Sequence, residues 1–246
     1  MIKSADKYLF MSDEITFHVF TNIDFDESNF SRQLDRIKII VHKVPNLVWP
    51  NATLYRYKYI LNYGEKMDYD YFVHIDADMQ VVPHGNSSVE EILNGKSIAL
   101  VMHPGYWRVD FPQKLFFYLK NFKFILKDIF LFIHYGNLGT WSKNRRSRAF
   151  VSRSNRRKYY CGAVWFGKKN DILNLATELD TYTDFDLKNK NIPEWNDESY
   201  LNYWASKNDF VSLTPSFCYE ESYKNLEYLN PFIIAVDKEK YENISK

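Results

Sequence analysis

Few residues in this 246-residue chain can cross-link, kink or anchor it. Cys161 and Cys218 are the only cysteines, which excludes a disulfide scaffold and a cysteine-based metal site, while a single disulfide stays open. Glycine and proline number eight each, so collagenous and low-complexity architectures are excluded. Charge of one sign is also scarce. A formal net charge of +1 gives no reason to expect nucleic acid or an acidic macromolecule as partner. No uninterrupted apolar run is long enough for a confident membrane span. What is plentiful is aromatic: 19 Tyr, 19 Phe and 6 Trp, a stock that fills cores and also suits flat ligands such as sugars and bases.

The length suits one substantial domain with a well-buried core. Its organising stretch is Tyr69 to Val82. Tyr71, Phe72, Val73 and Ile75 are aromatic or β-branched, and the run is too short for a typical helix, so a strand is expected. Asp76 and Asp78 follow at its end. On an extended chain residues two apart share a face, so both carboxylates can meet one hard cation; two aspartates capping a turn are the plain alternative. Ligands of open α/β sheets bind beyond the carboxyl ends of strands, which favours the first.

Around this stretch the pattern alternates. Ile2, Ala5, Leu9 and Phe10 have helical spacing; Ile15–Asn22 and Arg36–Val44 read as strands, and 52–63 as a helix capped by Asn51. Leu54, Tyr57 and Ile60 form its buried stripe, and Arg56 falls off it, either solvated or aimed at the aspartates. A turn and the short helix VEEIL follow. The strand Ser97–Trp107 ends in His103-Pro-Gly beside Tyr106 and Trp107, where the histidine can meet a sugar or simply close a turn. Tyr159–Gly167 carries a glycine within a strand, a place where another group approaches the backbone closely. A helix at 171–180 buries Ile172, Leu175 and Leu179. In a second helix Asn196 or Asp197 can act as cap, with Asp197 and Glu198 in the first turn, where the helix dipole favours acids.

Two segments stand apart. Val109–Ser142 is a dense mixture of Phe, Leu, Ile and Lys, read as a membrane-surface helix or a lid, although its lysines do not hold to one helical face. The basic run Lys143–Lys158 reads as a solvated loop in preference to a phosphate or membrane contact. Four Asn-x-Ser/Thr sequons, at Asn29, Asn51, Asn86 and Asn243, suit a secretory-pathway protein.

Taken in order, WPNATLYRYKYI, DYFVHIDADM, HPGYW with YYCGAVWFG, and WNDESYLNYWASKND followed by LTPSF resemble glycosyltransferase family 6, which includes the histo-blood-group A and B transferases, α1,3-galactosyltransferase and Forssman synthase. The resemblance covers nearly the whole chain outside 109–142. It implies a GT-A fold, a Rossmann-like mixed sheet flanked by helices, in one domain spanning 1–246. It also implies retaining transfer of galactose or N-acetylgalactosamine from UDP-galactose or UDP-N-acetylgalactosamine to the 3-hydroxyl of a galactose-terminated glycan. By the same resemblance Asp76 and Asp78 hold Mn²⁺ against the diphosphate, a hard cation suited to the charge that develops on leaving UDP. Trp49 and Arg56 lie near the donor; Cys161, Gly162 and Ala163 form the donor-selecting triplet; Trp195 and Asp197 bind the donor sugar. Glu198 is the catalytic carboxylate, as nucleophile or as stabiliser of an oxocarbenium-like state. His103 and Glu220 contact the acceptor, and Lys238 reaches the diphosphate.

Departures accompany the resemblance. Cys-Gly-Ala lies between the galactose and N-acetylgalactosamine patterns and leaves the donor open. Asn196 replaces a histidine, and Val151 and Ser152 replace a threonine and a tyrosine. The family's first strand, under the uridine, is missing, since Met1 aligns inside the helix after it, and 109–142 reads as an insertion, either a translated intron or a real loop. A degenerate member that binds nucleotide-sugar or glycan without turnover is therefore the alternative function. The expected location is the lumenal side of the Golgi membrane for an animal protein and the cytoplasm for a bacterial one, with membrane association only through a missing N-terminal anchor.

Overall fold

A computed structural model describes residues 1–85 and 87–236, so Lys238 and the sequon asparagines Asn86 and Asn243 lie outside the described residues. The chain begins with α1 (Ile2–Tyr8) and β1 (Thr16–Thr21), then a short α2 (Glu27–Ser31) and β2 (Lys38–Lys43). The expected helix at 52–63 is split into α3 (Asn51–Leu54) and α4 (Arg56–Gly64). Asn51 is inside α3, and no side chain caps it. Tyr55, at φ −87° and ψ 2°, leaves the helical region, and the break re-aims Arg56.

Next come β3 (Tyr71–Ile75), β4 (Met79–Val81), α5 (Val89–Leu93) and β5 (Ile98–Met102). Ser88 and Glu91 close a capping box at α5, which fixes the helix start without tertiary help. β5 stops five residues short of the expected strand end, because His103 turns back: the Tyr106 and Trp107 amides both donate to its carbonyl. The segment expected as an insertion forms α6 (Gln113–Lys120) and α7 (Phe122–Tyr135). Then follow β6 (Tyr160–Lys168), α8 (Lys169–Lys188), α9 (Asn196–Ala205), β7 (Val211–Leu213) and β8 (Ile233–Ala235). α8 runs eight residues beyond the expected end. Its Thr177, Thr181 and Thr183 hydroxyls bond back to carbonyls four residues earlier, and no Gly or Pro interrupts it.

The central sheet has the order β3-β6-β5-β7, with β6 antiparallel to both neighbours and β5 parallel to β7. It is therefore mixed, and it is covered on both faces. Leu100 and Trp165 point to a core shared with Leu54, Tyr57, Leu175 and Leu201, while Val101, Val164 and Phe166 point to a core shared with Leu9, Phe10 and Ile233. This is the period-two alternation of strands buried on both sides. The architecture is mixed α/β with helices on both faces, compatible with the GT-A-like fold that the resemblance implies.

β1 and β2 pair in parallel as a separate ribbon. Among the described residues, no strand bonds to the second edge of β1 or of β3. The two sheets still meet, since Tyr69, just ahead of β3, stands edge-to-face on His18 of β1 at 5.7 Å.

The basic run is a largely exposed loop, as expected, but three of its arginines are engaged. Arg156 is buried and donates to the carbonyls of Tyr135, Ser142 and Val151. Arg148 stacks over Phe185 at 4.2 Å, and Arg153 donates to the Ile133 and His134 carbonyls at the end of α7. Spent on terminal carbonyls of α7, the Arg153 and Arg156 guanidinium groups tie the α6–α7 hairpin to the body.

Candidate active site

The site is built on an irregularity in the sheet. Leu100 pairs with Trp165 and Met102 with Tyr160, so the register slips between them. A bulge of this kind frees backbone groups from the ladder, and Gly162 uses both of its own. Its N–H donates to Glu198 Oε2 at 2.8 Å. Its carbonyl accepts from Arg56 Nη1 at 2.8 Å and from Trp165 Nε1 at 3.1 Å. Glycine is needed there: a Cβ would stand 3.3 Å from Asp197 Oδ2 and 3.4 Å from the Cβ of Glu198.

Arg56 is the hub. Its Nε lies 3.1 Å from Asp197 Oδ2, its Nη2 lies 3.4 Å from Asp76 Oδ1, and its Nη1 is 3.0 Å from His74 Nε2. Two carboxylates brought by different elements thus share one guanidinium, whose planar fork suits that task better than an ammonium would. Burial opposes the Arg56 charge, but Asp197 and Asp76 overcome this and raise its pKa. Asp197 moves the other way from the usual ion-paired acid: burial raises its pKa, against the pull of Arg56. The capping reading of Asp197 is overturned. The N-cap of α9 is Trp195, without a side-chain cap, and the Asp197 carboxylate turns to Arg56.

Glu198 is driven up strongly. Burial pushes its carboxyl up to about 8, although the Gly162 N–H pulls it down, and Asp197 adds to the rise. Asn196 just before has φ +45° while buried, a left-handed conformation that costs energy for a residue with a side chain. Such strain gathers where a site fixes the backbone.

Asp76 directly follows β3, and its N–H donates to the Ala163 carbonyl. Its Oδ1 is 3.1 Å from His74 Nε2, and His74 stacks on Trp165 with centroids 4.9 Å apart. Burial and Arg56 lower the His74 pKa, so a neutral imidazole orients the carboxylate. Asp78 lies past a turn and, with Met1, Lys3, Ser4 and Gln80, lines a cleft of about 400 Å³. Among the described residues no group of three or more His, Cys, Asp and Glu converges as a metal cage. The pair nevertheless offers hard carboxylate oxygens at one turn, the donor chemistry that Mn²⁺ or Mg²⁺ takes when substrate oxygens complete its shell.

A second group forms around His103. Burial and nearby Lys127 lower its pKa to about 4, so it is neutral, and its Nδ1 accepts from the Gly105 N–H at 3.0 Å. Tyr106 is tilted on it at 4.6 Å. The Lys127 ammonium of α7 lies about 6.0 Å from the ring centres of both Tyr106 and Tyr223. Glu220 precedes Tyr223 in the same loop and raises its pKa, after burial.

The expected residues therefore divide. Arg56, Asp76, Gly162, Asp197 and Glu198 are in one cluster. His103 forms the core of the second, which the Glu220 loop borders. Cys161 turns into the interior beside Cys218; Ala163 is partly buried against the same core and meets the cluster through its carbonyl, which accepts from the Asp76 N–H, and Gly162 is the member that Arg56 and Glu198 contact. Trp49 is 72% exposed and Trp195 51% exposed; both stand open to solvent. Three residues escaped the sequence reading. His74 had a signal, since it lies two residues before Asp76 on one face of the strand. Tyr159, whose buried phenol lies beside Glu198, and Lys127 had none.

Residues 126–246 match the family described as Glycosyltransferase family 6. The O-antigen biosynthesis glycosyltransferase WbnI of Escherichia coli is 28% identical over 236 residues, 94% of this chain and 85% of that protein.

Proposed function

The chain belongs to glycosyltransferase family 6 and is a glycosyltransferase; from that premise we propose that it moves galactose or N-acetylgalactosamine from a UDP-sugar to the 3-hydroxyl of a galactoside, with retention at the anomeric carbon. The observation that supports this most is the meeting of Asp76, Asp197 and Glu198 around Arg56 and Gly162. A donor sugar laid over Gly162 has an open backbone beneath it, Asp197 within reach of its hydroxyls, and the Glu198 carboxyl against the ring. Positive charge that develops at the anomeric carbon favours the ionised form of Glu198, a stabilisation made in the transition state more than in the ground state. The Gly162 N–H holds that carboxyl in place. Arg56 keeps Asp197 and Asp76 from repelling each other and the incoming diphosphate.

Asp76 and Asp78 would hold Mn²⁺, which supplies Lewis-acid stabilisation to the departing diphosphate when bound. The acceptor is assigned to the second cluster, where neutral His103 can hydrogen-bond a sugar hydroxyl and Tyr106 offers an apolar ring face. The proposed location is the lumenal side of the Golgi membrane for an animal protein and the cytoplasm for a bacterial one.

The test is direct. The protein is incubated with UDP-galactose or UDP-N-acetylgalactosamine and a β-galactoside, with Mn²⁺ or with a chelator, and UDP release and product anomer are followed by NMR. An α-linked product from one donor, dependent on the metal, is expected. UDP binding without consumption of either donor would replace transfer with a binding role.

A further inference from the structure

The α6–α7 hairpin is built inside out. On α7 the inward face carries Leu131 and the buried acid Asp128, which is paired through both oxygens to Arg108 and accepts from Tyr118. The outward arc is apolar: Phe122, Leu126, Ile129 and Ile133 recur at helical spacing and are 50–65% exposed. On α6 the buried residue is Phe117, and Leu115, Phe116 and Leu119 face out. The lysines that break the sequence pattern sit on the shoulders of these arcs, Lys120 and Lys123 at the hairpin turn. Exposed apolar surface of this extent on two adjoining helices is far from the scattered single residues of an ordinary surface.

Charge is segregated with it. Residues 113–170 hold fourteen of the 32 Lys and Arg but only one of the 31 acids, and that one is the buried, neutralised Asp128. The rest of the chain is correspondingly acidic. The basic run is held against the hairpin itself: Arg153 and Arg156 bond the last carbonyls of α7, and the Lys143 ammonium lies 4.3 Å from the Tyr135 ring centre. No helix among the described residues is long and apolar enough to cross a membrane.

We propose that the α6–α7 hairpin is an interfacial anchor that lays its apolar arcs into the surface of an anionic lipid bilayer, with Lys120, Lys123 and the adjoining basic run against the headgroups. An apolar face bordered by cations is what such a surface binds, through burial of the apolar arc and attraction to anionic lipid together. A second copy of the chain is a poorer occupant, because docking hairpin on hairpin would set two strongly basic faces against each other. The proposal modifies the expectation that membrane association requires an N-terminal anchor. It would also orient the neighbouring His103 cluster close to the lipid surface, since Lys127 of α7 reaches that cluster.

Flotation with vesicles tests it without reference to turnover. The protein should float with phosphatidylcholine–phosphatidylglycerol vesicles and much less with phosphatidylcholine alone. The double change Leu126→Glu with Ile129→Glu should lower the bound fraction at least about tenfold with an unaltered melting temperature, both side chains being solvent-facing. Lys120→Glu with Lys123→Glu leaves the apolar arc intact and should weaken binding several-fold on anionic vesicles only; this variant carries the test if the first does not fold. Equal recovery with and without anionic lipid, or no flotation, overturns the proposal. So does a concentration-dependent dimer in sedimentation velocity that the leucine and isoleucine changes abolish while vesicle binding is absent.

Discussion

The Glu198 carboxylate is held 2.8 Å from the backbone N–H of Gly162, a bond that exists because the β5–β6 register slips beside it and the amide has no ladder partner to serve. The strand thereby lends its backbone to a side chain of α9. The carbonyl of the same residue accepts from Arg56, so one residue without a side chain ties together both charged arms of the site.

Gly162→Ala is expected to damage transfer more than folding. The new methyl would meet Asp197 Oδ2 and the Glu198 Cβ at 3.3 and 3.4 Å, displacements of a few tenths of an ångström that the fold absorbs. Misplacing a reacting group by a fraction of an ångström to 1 Å costs roughly 10–100-fold in rate. Steady-state kinetics with a thermal melt should show a large fall in kcat and a small one in Tm.

Glu198→Gln should cut transfer by about 10²–10³-fold and leave UDP affinity, read by calorimetry, nearly unchanged. Loss of UDP binding instead would give Glu198 a structural part. The wild-type rate should rise with pH toward about 8, as this carboxyl ionises.

The same raised pKa has a consequence for stability. The folded protein binds the Glu198 proton more tightly than the unfolded chain does, so the folded state is favoured below an ordinary 4.5 and loses that advantage as pH rises to about 8. Glu198→Gln removes the titration. Its melting temperature should therefore gain on the wild type between pH 5 and pH 9, and parallel curves would contradict the assignment.

Arg56→Met should leave Asp197 and Asp76 without their shared cation. Asp197 is buried, and stripping one partner from a buried pair costs about 3–5 kcal/mol, measurable as a shift of the urea midpoint. Arg56→Lys should rescue stability only in part, since one ammonium cannot reach Asp76, Asp197 and the Gly162 carbonyl together.

Asp128→Ala tests whether the hairpin is integral to the fold. It would strand the buried Arg108 guanidinium and remove the acceptor of Tyr118, for a loss of about 3–5 kcal/mol. Protease digestion should then cut first within 109–142.

Much of this was legible from local pattern. β3 follows from a run of aromatic and β-branched residues, α5 from its Ser88–Glu91 box, and the buried stripe of α8 from the spacing of Ile172, Leu175 and Leu179. Arg56 was singled out because it falls off a stripe, and Asp76 because it ends a strand. Local signals are readable when the interaction that satisfies them lies within a few residues. The partners of Arg56 lie up to 141 positions away, on other elements, and no spacing encodes that distance.

The sequence by itself determined the α/β class, the family, and which acids were worth watching, because residue type and periodicity carry that information. Only the tertiary structure decided what those acids do. It turned Asp197 from a helix cap into an ionic partner of Arg56, left Trp49 in solvent, and made the basic run a clasp for a helix. It also put the apolar side of α7 outside, with Asp128 buried against Arg108 on the inner side. Desolvation and long-range pairing set these outcomes, and both depend on what the folded chain brings into contact.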